Sequence, residues 1–258
     1  MSKFPLALEI NKLLFSVIKP KEIEFYGKKI ILDKHDKYQL SFRDYQIPKI
    51  VINSIKNGQT IIDVGASIGI YTIFFAKMVG NTGKVYAFEP EPRNFELLKK
   101  NIKINGFKNV ILENKAVSNV SGFVKIEIAN NIANHRITSD NSKTTFDVPS
   151  VSIDDYFKDK SEKIDFIKID TEGYDGYVLL GAKDTISKNN FIQILTEFHV
   201  KFMREAGLEP IDFLQILKKF KMKIIDLANG ELVDETYIKN FDKMDYYSSN
   251  FFCEKIIT

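Results

Sequence analysis

From Thr60 onward, short and mostly apolar runs alternate with longer segments whose apolar residues recur at helical spacing. The short runs, Thr60–Val64, Lys84–Phe88, Val110–Asn114, Phe166–Asp170 and Ile192–Glu197, have the length and content of strands covered on both faces. The spacing between them predicts helices over Ile70–Met78, Arg93–Asn105, Tyr177–Lys188 and Pro210–Phe220. Such alternation predicts an α/β fold, a mostly parallel sheet with helices on both faces. Two last stretches, Lys223–Leu227 and Asn250–Ile256, add strands, and the Asn229-Gly230 turn predicts an antiparallel edge.

The first 58 residues are patterned differently and read as an extension, a cap or an oligomerisation element, ahead of a main domain over 59–258. Ala7, Ile10, Leu14, Val17 and Ile18 recur at helical spacing within Phe4–Ile18, which predicts an amphipathic helix rather than a signal peptide. That helix is expected to pack on the main domain or on a twin subunit, which makes a homodimer an expectation, with a membrane-surface or lipid-substrate contact as the alternative. After Pro20, Glu22–Leu32 is β-like with a turn at Tyr26-Gly27-Lys28, and Ile47–Lys56 is helical up to the Asn57-Gly58 stop signal.

One region breaks the alternation. Phe123–Ala129 has hairpin character, 130–145 is polar without a period, and Phe146–Val151 resumes as a strand before a short helix capped by Ser152. A long irregular segment in an α/β domain is a functional loop or is locally disordered.

Composition narrows the class. Of 37 basic residues only Arg43, Arg93, Arg136 and Arg204 are arginine, the lysines are scattered, and the net charge is +3, which argues against a nucleic-acid surface. The single Cys253 excludes an intrachain disulfide and fits a reducing cytoplasm. No apolar run is long enough to span a bilayer.

The chemistry starts at Asp63-x-Gly65-x-Ser67-x-Gly69, between the first predicted strand and its helix, with Glu89 closing the next strand. The glycines let backbone turn tightly and approach a ligand, the helix start offers N–H groups to a polar group, and Glu89 can accept hydrogen bonds from vicinal ribose hydroxyls. The spacing is not the G-x-G-x-x-G of dinucleotide enzymes.

A second constellation, Phe166-Ile-Lys-Ile-Asp-Thr-Glu-Gly173, ends a strand in Asp170 and Glu172, while Leu195–His199 ends another in Glu197 and His199. Ligands of open α/β sheets bind beyond the carboxyl ends of strands, so these four groups are expected in one crevice with the glycine loop. Lys168 could stabilise a carboxylate, but a snorkelling or surface lysine is the favoured expectation. His35 and His135 stand outside any motif, and His135-Arg136 lies in the polar loop, where it could touch substrate.

Asp63–Thr72, Ala87-Phe-Glu-Pro90, Asn114–Asn119 with Gly122, and Phe166–Gly173 together resemble the FkbM-type methyltransferase family. The resemblance implies a Rossmann-like, class I fold that uses S-adenosylmethionine, with a seven-stranded sheet whose last strand is antiparallel. It implies a hydroxyl acceptor on a sugar, glycolipid or polyketide-type molecule. By this resemblance Gly65, Ser67 and Gly69 wrap the methionine portion behind Asp63, Tyr71 or Thr72 contacts its carboxylate, and Glu89 holds the ribose. Ala116, at the end of the third strand, bounds the adenine, with Asn114 a polar contact.

Methyl transfer needs alignment of nucleophile and methyl, and an alcohol needs a base. His199, with an ordinary pKa of about 6.5, is the first candidate base; Asp170 is the alternative, with Glu172 beside it. A divalent metal shared by Asp170, Glu172, Glu197 and His199 is the less favoured route, and such oxygen-rich ligands suit magnesium, calcium or manganese. Two rival readings stand beside the enzyme: a non-catalytic S-adenosylmethionine-binding module, and a serine hydrolase using Ser67, Asp170 or Asp175, and His199 through a G-x-S-x-G match.

Overall fold

The structure, a computed structural model, describes residues 22–32, 47–127, 136–137, 145–241 and 244–256. The amphipathic helix expected over 4–18, His35, His135 and most of the polar segment 130–145 lie outside the described residues.

A hairpin of β1 (Glu22–Phe25) and β2 (Lys28–Ile31) precedes α1 (Lys49–Ser54), β3 (Thr60–Val64), α2 (Ile70–Val79), β4 (Lys84–Phe88), α3 (Pro92–Ile104) and β5 (Val110–Glu113). An insertion follows, built from β6 (Ala116–Val117), β7 (Gly122–Glu127), β8 (Arg136–Ile137) and β9 (Thr145–Val151). The chain returns through α4 (Ile153–Phe157), β10 (Phe166–Ile169), α5 (Asp175–Leu180), α6 (Lys183–Ser187), β11 (Gln193–His199), α7 (Val200–Glu205) and α8 (Pro210–Lys219). It ends with β12 (Met222–Asp226), α9 (Glu235–Lys239) and β13 (Ser248–Lys255).

Seven strands form one sheet in the order β12-β13-β11-β10-β3-β4-β5. Successive residues of a strand point to opposite faces, which is why every position of β10 is buried. Ile62, Ile167 and Ile194 enter one apolar layer, while Ile61, Phe166 and Leu195 enter the other. This is the doubly covered parallel sheet that the apolar runs predict.

The last strand is antiparallel, as expected, and with β12 it makes the antiparallel edge that the turn predicts. β13 pairs antiparallel with both β11 and β12, and β12 forms the edge. The burial pattern explains the order: Phe251 and Cys253 feed one layer and Phe252 the other, whereas Lys223 of β12 faces solvent. The Asn229-Gly230 turn leads toward α9, a five-residue helix too short to leave a periodic signal. The helix predicted over Tyr177–Lys188 is two helices, parted at Gly181-Ala182 where Gly181 lies against the Ser118 carbonyl.

The insertion is a separate four-stranded sheet ordered β6-β9-β7-β8. Its strands β7 and β9 are legible in the sequence; their pairing is not. Ala116 does not end the third strand of the main sheet, because β5 stops at Glu113 and Ala116 pairs with Ser150 of β9. The N-terminal hairpin docks on α3 through Asn101, whose Oδ1 accepts from Ile31 N at 2.6 Å while Nδ2 donates to Ile68 O at 2.7 Å. The same side chain thus ties the hairpin to the glycine loop.

Candidate active site

The carboxyl ends of β3, β4, β10 and β11 gather the polar groups of both motifs. After β3 the backbone N–H groups of Gly65 and Ala66 both donate to Phe88 O at 3.0 Å, which holds the glycine loop to the end of β4. Gly65 adopts φ +71°, and a Cβ there would stand 1.8 Å from the Asp170 carbonyl oxygen. The close approach that demands glycine is therefore made by the neighbouring strand end. Gly69 caps α2, whose first turn presents N–H groups without an intrahelical acceptor. Ser67 takes a left-handed φ of 51°.

Glu89 lies behind this loop. Its Oε2 accepts from Ser67 N at 2.8 Å and its Oε1 from Glu91 N at 2.9 Å, and Asn114 Nδ2 donates to Glu89 O and Pro90 O at 2.8 and 3.1 Å. Burial pushes the Glu89 carboxyl up to about 7, against the lowering effect of those N–H bonds. The protonated acid is thus favoured in the folded chain up to near neutrality, and the ionised carboxylate above it keeps a second lone pair on each oxygen. Because the folded value is the raised one, Glu89 favours the folded chain most at acid pH, and this contribution is lost as pH rises through about 7. We expect Glu89→Gln to be less sensitive than the parent to that rise in urea midpoints, and equal slopes would remove Glu89 from the account.

Lys168 is the main departure from the sequence expectation of a surface lysine. Its side chain is 4% exposed, and Nζ lies 3.5 Å from Asp63 Oδ1, 3.3 Å from Asp170 Oδ2 and 2.8 Å from Gly65 O. Burial opposes its charge, but Asp170 and Asp63 together outweigh burial and hold the ammonium above its ordinary pKa. Asp63 is itself fully buried, raised by desolvation, and accepts from Thr72 Oγ1 at 2.6 Å. One buried cation thus links the loop, the Asp63–Thr72 pair and the end of β10. Tyr71 is buried against Phe75, with Lys168 Nζ 5.4 Å from its ring centre.

Beyond Lys168, single carboxylate oxygens of Asp170, Glu172 and Glu197 all lie within 4.8 Å of one another. Desolvation, reinforced by Asp170, Glu172 and Asp175, holds the Glu197 carboxyl well above the usual range. Burial, then Asp170, pushes Asp175 up to about 6, although Thr171 and Thr196 hydroxyls donate to it at 2.8 and 3.1 Å. Glu172 sits at φ 55°, a second non-glycine residue in the left-handed region beside this crevice.

His199 is not part of that carboxylate group among the described residues. It ends β11 and caps α7, its Nδ1 accepting from Phe202 N at 3.3 Å, with the ring stacked on Phe202 and edge-on to Tyr246. A neutral imidazole has one basic lone pair, and in this pose the cap engages it.

A family profile described as "Methyltransferase FkbM domain" matches residues 63–225, more than half of the chain. The chain belongs to the FkbM methyltransferase family. Hexuronic acid methyltransferase AglP of Haloferax volcanii is 26% identical over 172 residues, covering 66% of this chain and 65% of that protein. This FkbM chain therefore spans less than two thirds of that relative's length. Among solved structures, the methyltransferase FkbM of Methylobacillus flagellatus KT aligns at 15% identity with a TM-score of 0.49, over 86% of this chain and 55% of that one. A methyltransferase of Aquifex aeolicus, described as SAM-dependent, aligns at 17% identity and a TM-score of 0.46, over 81% and 88%.

For an FkbM chain the residues singled out in the sequence fall into three groups. Gly65, Ser67, Gly69 and Glu89 form one loop assembly, joined through Lys168 to Asp63 and Asp170. Asp170, Glu172 and Glu197 form the carboxylate group. Thr72 has no exposed surface, and its hydroxyl donates to Asp63, so it braces the loop from within. Asn114 braces the β4–α3 loop, and Ala116 belongs to the second sheet. Membership of this family replaces the hydrolase reading: Asp170 pairs with Lys168, and His199 Nδ1 accepts a backbone N–H where a triad histidine donates to its aspartate. No helix among the described residues is long and apolar enough to cross a membrane.

Thr196 is missed by sequence reasoning, Asp175 enters it only as a hydrolase acid, and the buried place of Lys168 is missed. The available signal was a lysine inside an otherwise apolar strand buried on both faces.

Proposed function

We propose that this chain transfers the methyl group of S-adenosylmethionine to a hydroxyl oxygen of a sugar, glycolipid or polyketide-type small molecule. The observation that carries this reading is the Asp170–Glu172–Glu197 group standing beside the Gly65–Gly69 loop at the strand ends. The cofactor supplies an activated methyl carbon. The loop and the first turn of α2 receive its methionine portion, and Glu89 accepts from the ribose hydroxyls with its remaining lone pairs.

The carboxylate group then orients the acceptor by hydrogen bonds. The acceptor oxygen forms the new bond to carbon, the carbon–sulfur bond breaks with its electron pair returning to sulfur, and Asp170 receives the hydroxyl proton. Asp170 takes this role rather than His199 because its carboxylate is 39% exposed toward solvent whereas the His199 lone pair caps α7. The relative named as a hexuronic acid methyltransferase supports a sugar-type acceptor.

The test is a panel of hexoses, hexuronic acids and their glycosides incubated with the chain and methyl-labelled cofactor, read by mass spectrometry. Acceptor-dependent S-adenosylhomocysteine and a label stable to mild base, as in an ether, are expected. A base-labile label would mark an ester instead. Cofactor binding without turnover across the panel would leave the non-catalytic binding module as the better account.

A further inference from the structure

We infer that Asp170, Glu172 and Glu197 form a binding site for one hard divalent cation, of the magnesium, manganese or calcium class. The inference deepens the methyl-transfer reading by naming what holds the acceptor oxygen. Each residue offers one carboxylate oxygen, and the three lie within 4.8 Å of one another. Opposite oxygen ligands of one ion stand about 4.2 Å apart around magnesium and about 4.8 Å apart around calcium. A single ion therefore spans the group without large movement.

A second, independent observation points the same way. Glu197, on the inner strand β11, has a buried Oε2 with no hydrogen-bond partner. A buried carboxylate oxygen left unpaired is costly, and the side chains that gather around it are themselves acids. The buried cation Lys168 is engaged by Asp63, Asp170 and the Gly65 carbonyl. A cation held between the three carboxylates supplies the missing partner. All-oxygen donors select a hard ion over zinc or copper.

The position also suits the chemistry. An ion held there would bind the acceptor hydroxyl through oxygen and lower its pKa. The hydroxyl proton would still pass to Asp170 as the oxygen lone pair attacks the methyl carbon and the carbon–sulfur pair leaves with sulfur. It also lets an acidic sugar enter a crevice that its three carboxylates would otherwise close to anions.

The test uses the whole chain, treated with chelator and then titrated with Mn²⁺ under electron paramagnetic resonance, with Mg²⁺ and Ca²⁺ as competitors. One Mn²⁺ bound per chain is expected, weakened at least tenfold in Glu197→Gln and unchanged in Glu96→Gln, an exposed acid on α3. Thermal melts separate a ligand role from a structural one. Without metal, Glu197→Gln should melt at or above the parent, because a buried repelling charge is gone. Added Mn²⁺ should raise the parent's Tm and leave the variant's unchanged. Absence of bound Mn²⁺ at millimolar ion, or binding indifferent to Glu197→Gln, overturns the site. Since no acceptor is present, a failed acceptor panel leaves this result standing, and a failed titration leaves methyl transfer standing.

Discussion

Gly65→Ala is expected to cost about 2–6 kcal/mol of folding stability and to remove measurable S-adenosylhomocysteine binding. Two costs combine. A non-glycine residue held at φ +71° carries about 1–3 kcal/mol of strain. Its Cβ would also overlap the Asp170 carbonyl oxygen at 1.8 Å, an overpacking that costs about 1–3 kcal/mol once the strands have moved apart. The overlapping atom is backbone, so no rotamer change relieves it. Separation of the Gly65 loop from Asp170 also displaces the Lys168 ammonium that bonds both. A control distinguishes the two costs: Gly106 has nearly the same φ, +70°, and a Cβ added there would meet nothing within 4 Å. Gly106→Ala should therefore lose only the strain contribution. Urea midpoints and titration calorimetry with S-adenosylhomocysteine check both variants, and equal losses would refute the overlap account.

Much of the fold is legible in the sequence because strand and helix periods report burial directly. The runs at Thr60, Lys84, Phe166 and Ile192 reappear as strands within a residue or two of their expected ends. The glycine loop and Glu89 are legible for a related reason: the tight turn and its closing carboxylate are local or one βα unit apart. Pairing partners are another matter. The pattern of Asn250–Ile256 reports two buried faces, but it cannot say that the strand inserts between β11 and β12. Likewise the character of β7 and β9 does not reveal that Ala116 joins them through Ser150. These are long-range choices, made by which apolar surfaces remain to be covered. Lys168 is the sharpest instance. Over a hundred residues separate it from Asp63, and only the register of β10 on β3 sets the two directly opposite each other.

That register makes Lys168→Met the second large effect. Methionine preserves the length of the side chain and its fit among apolar neighbours, so packing loss is small. The charge is what disappears. Asp63 then lies fully buried with Thr72 as its hydrogen-bonding partner, and Asp170 loses its counter-charge beside Glu172 and Glu197. Breaking a buried pair by removing one partner typically costs about 3–5 kcal/mol, more than the intact pair contributes, because the remaining charge stays desolvated. Partial exposure of Asp170 moderates its share, whereas the Asp63 share has no such relief. The double variant Asp63→Asn with Lys168→Met should accordingly be more stable than Lys168→Met alone, since it removes the stranded charge along with its partner. The urea midpoints of the parent, both single variants and the double variant measure this coupling. If the double variant is no more stable than Lys168→Met, the lysine acts by packing rather than as the counter-charge of Asp63. The same substitution takes the donor from the Gly65 carbonyl, so cofactor affinity should fall even in the double variant, which separates the role of Lys168 in holding the loop from its role in stability.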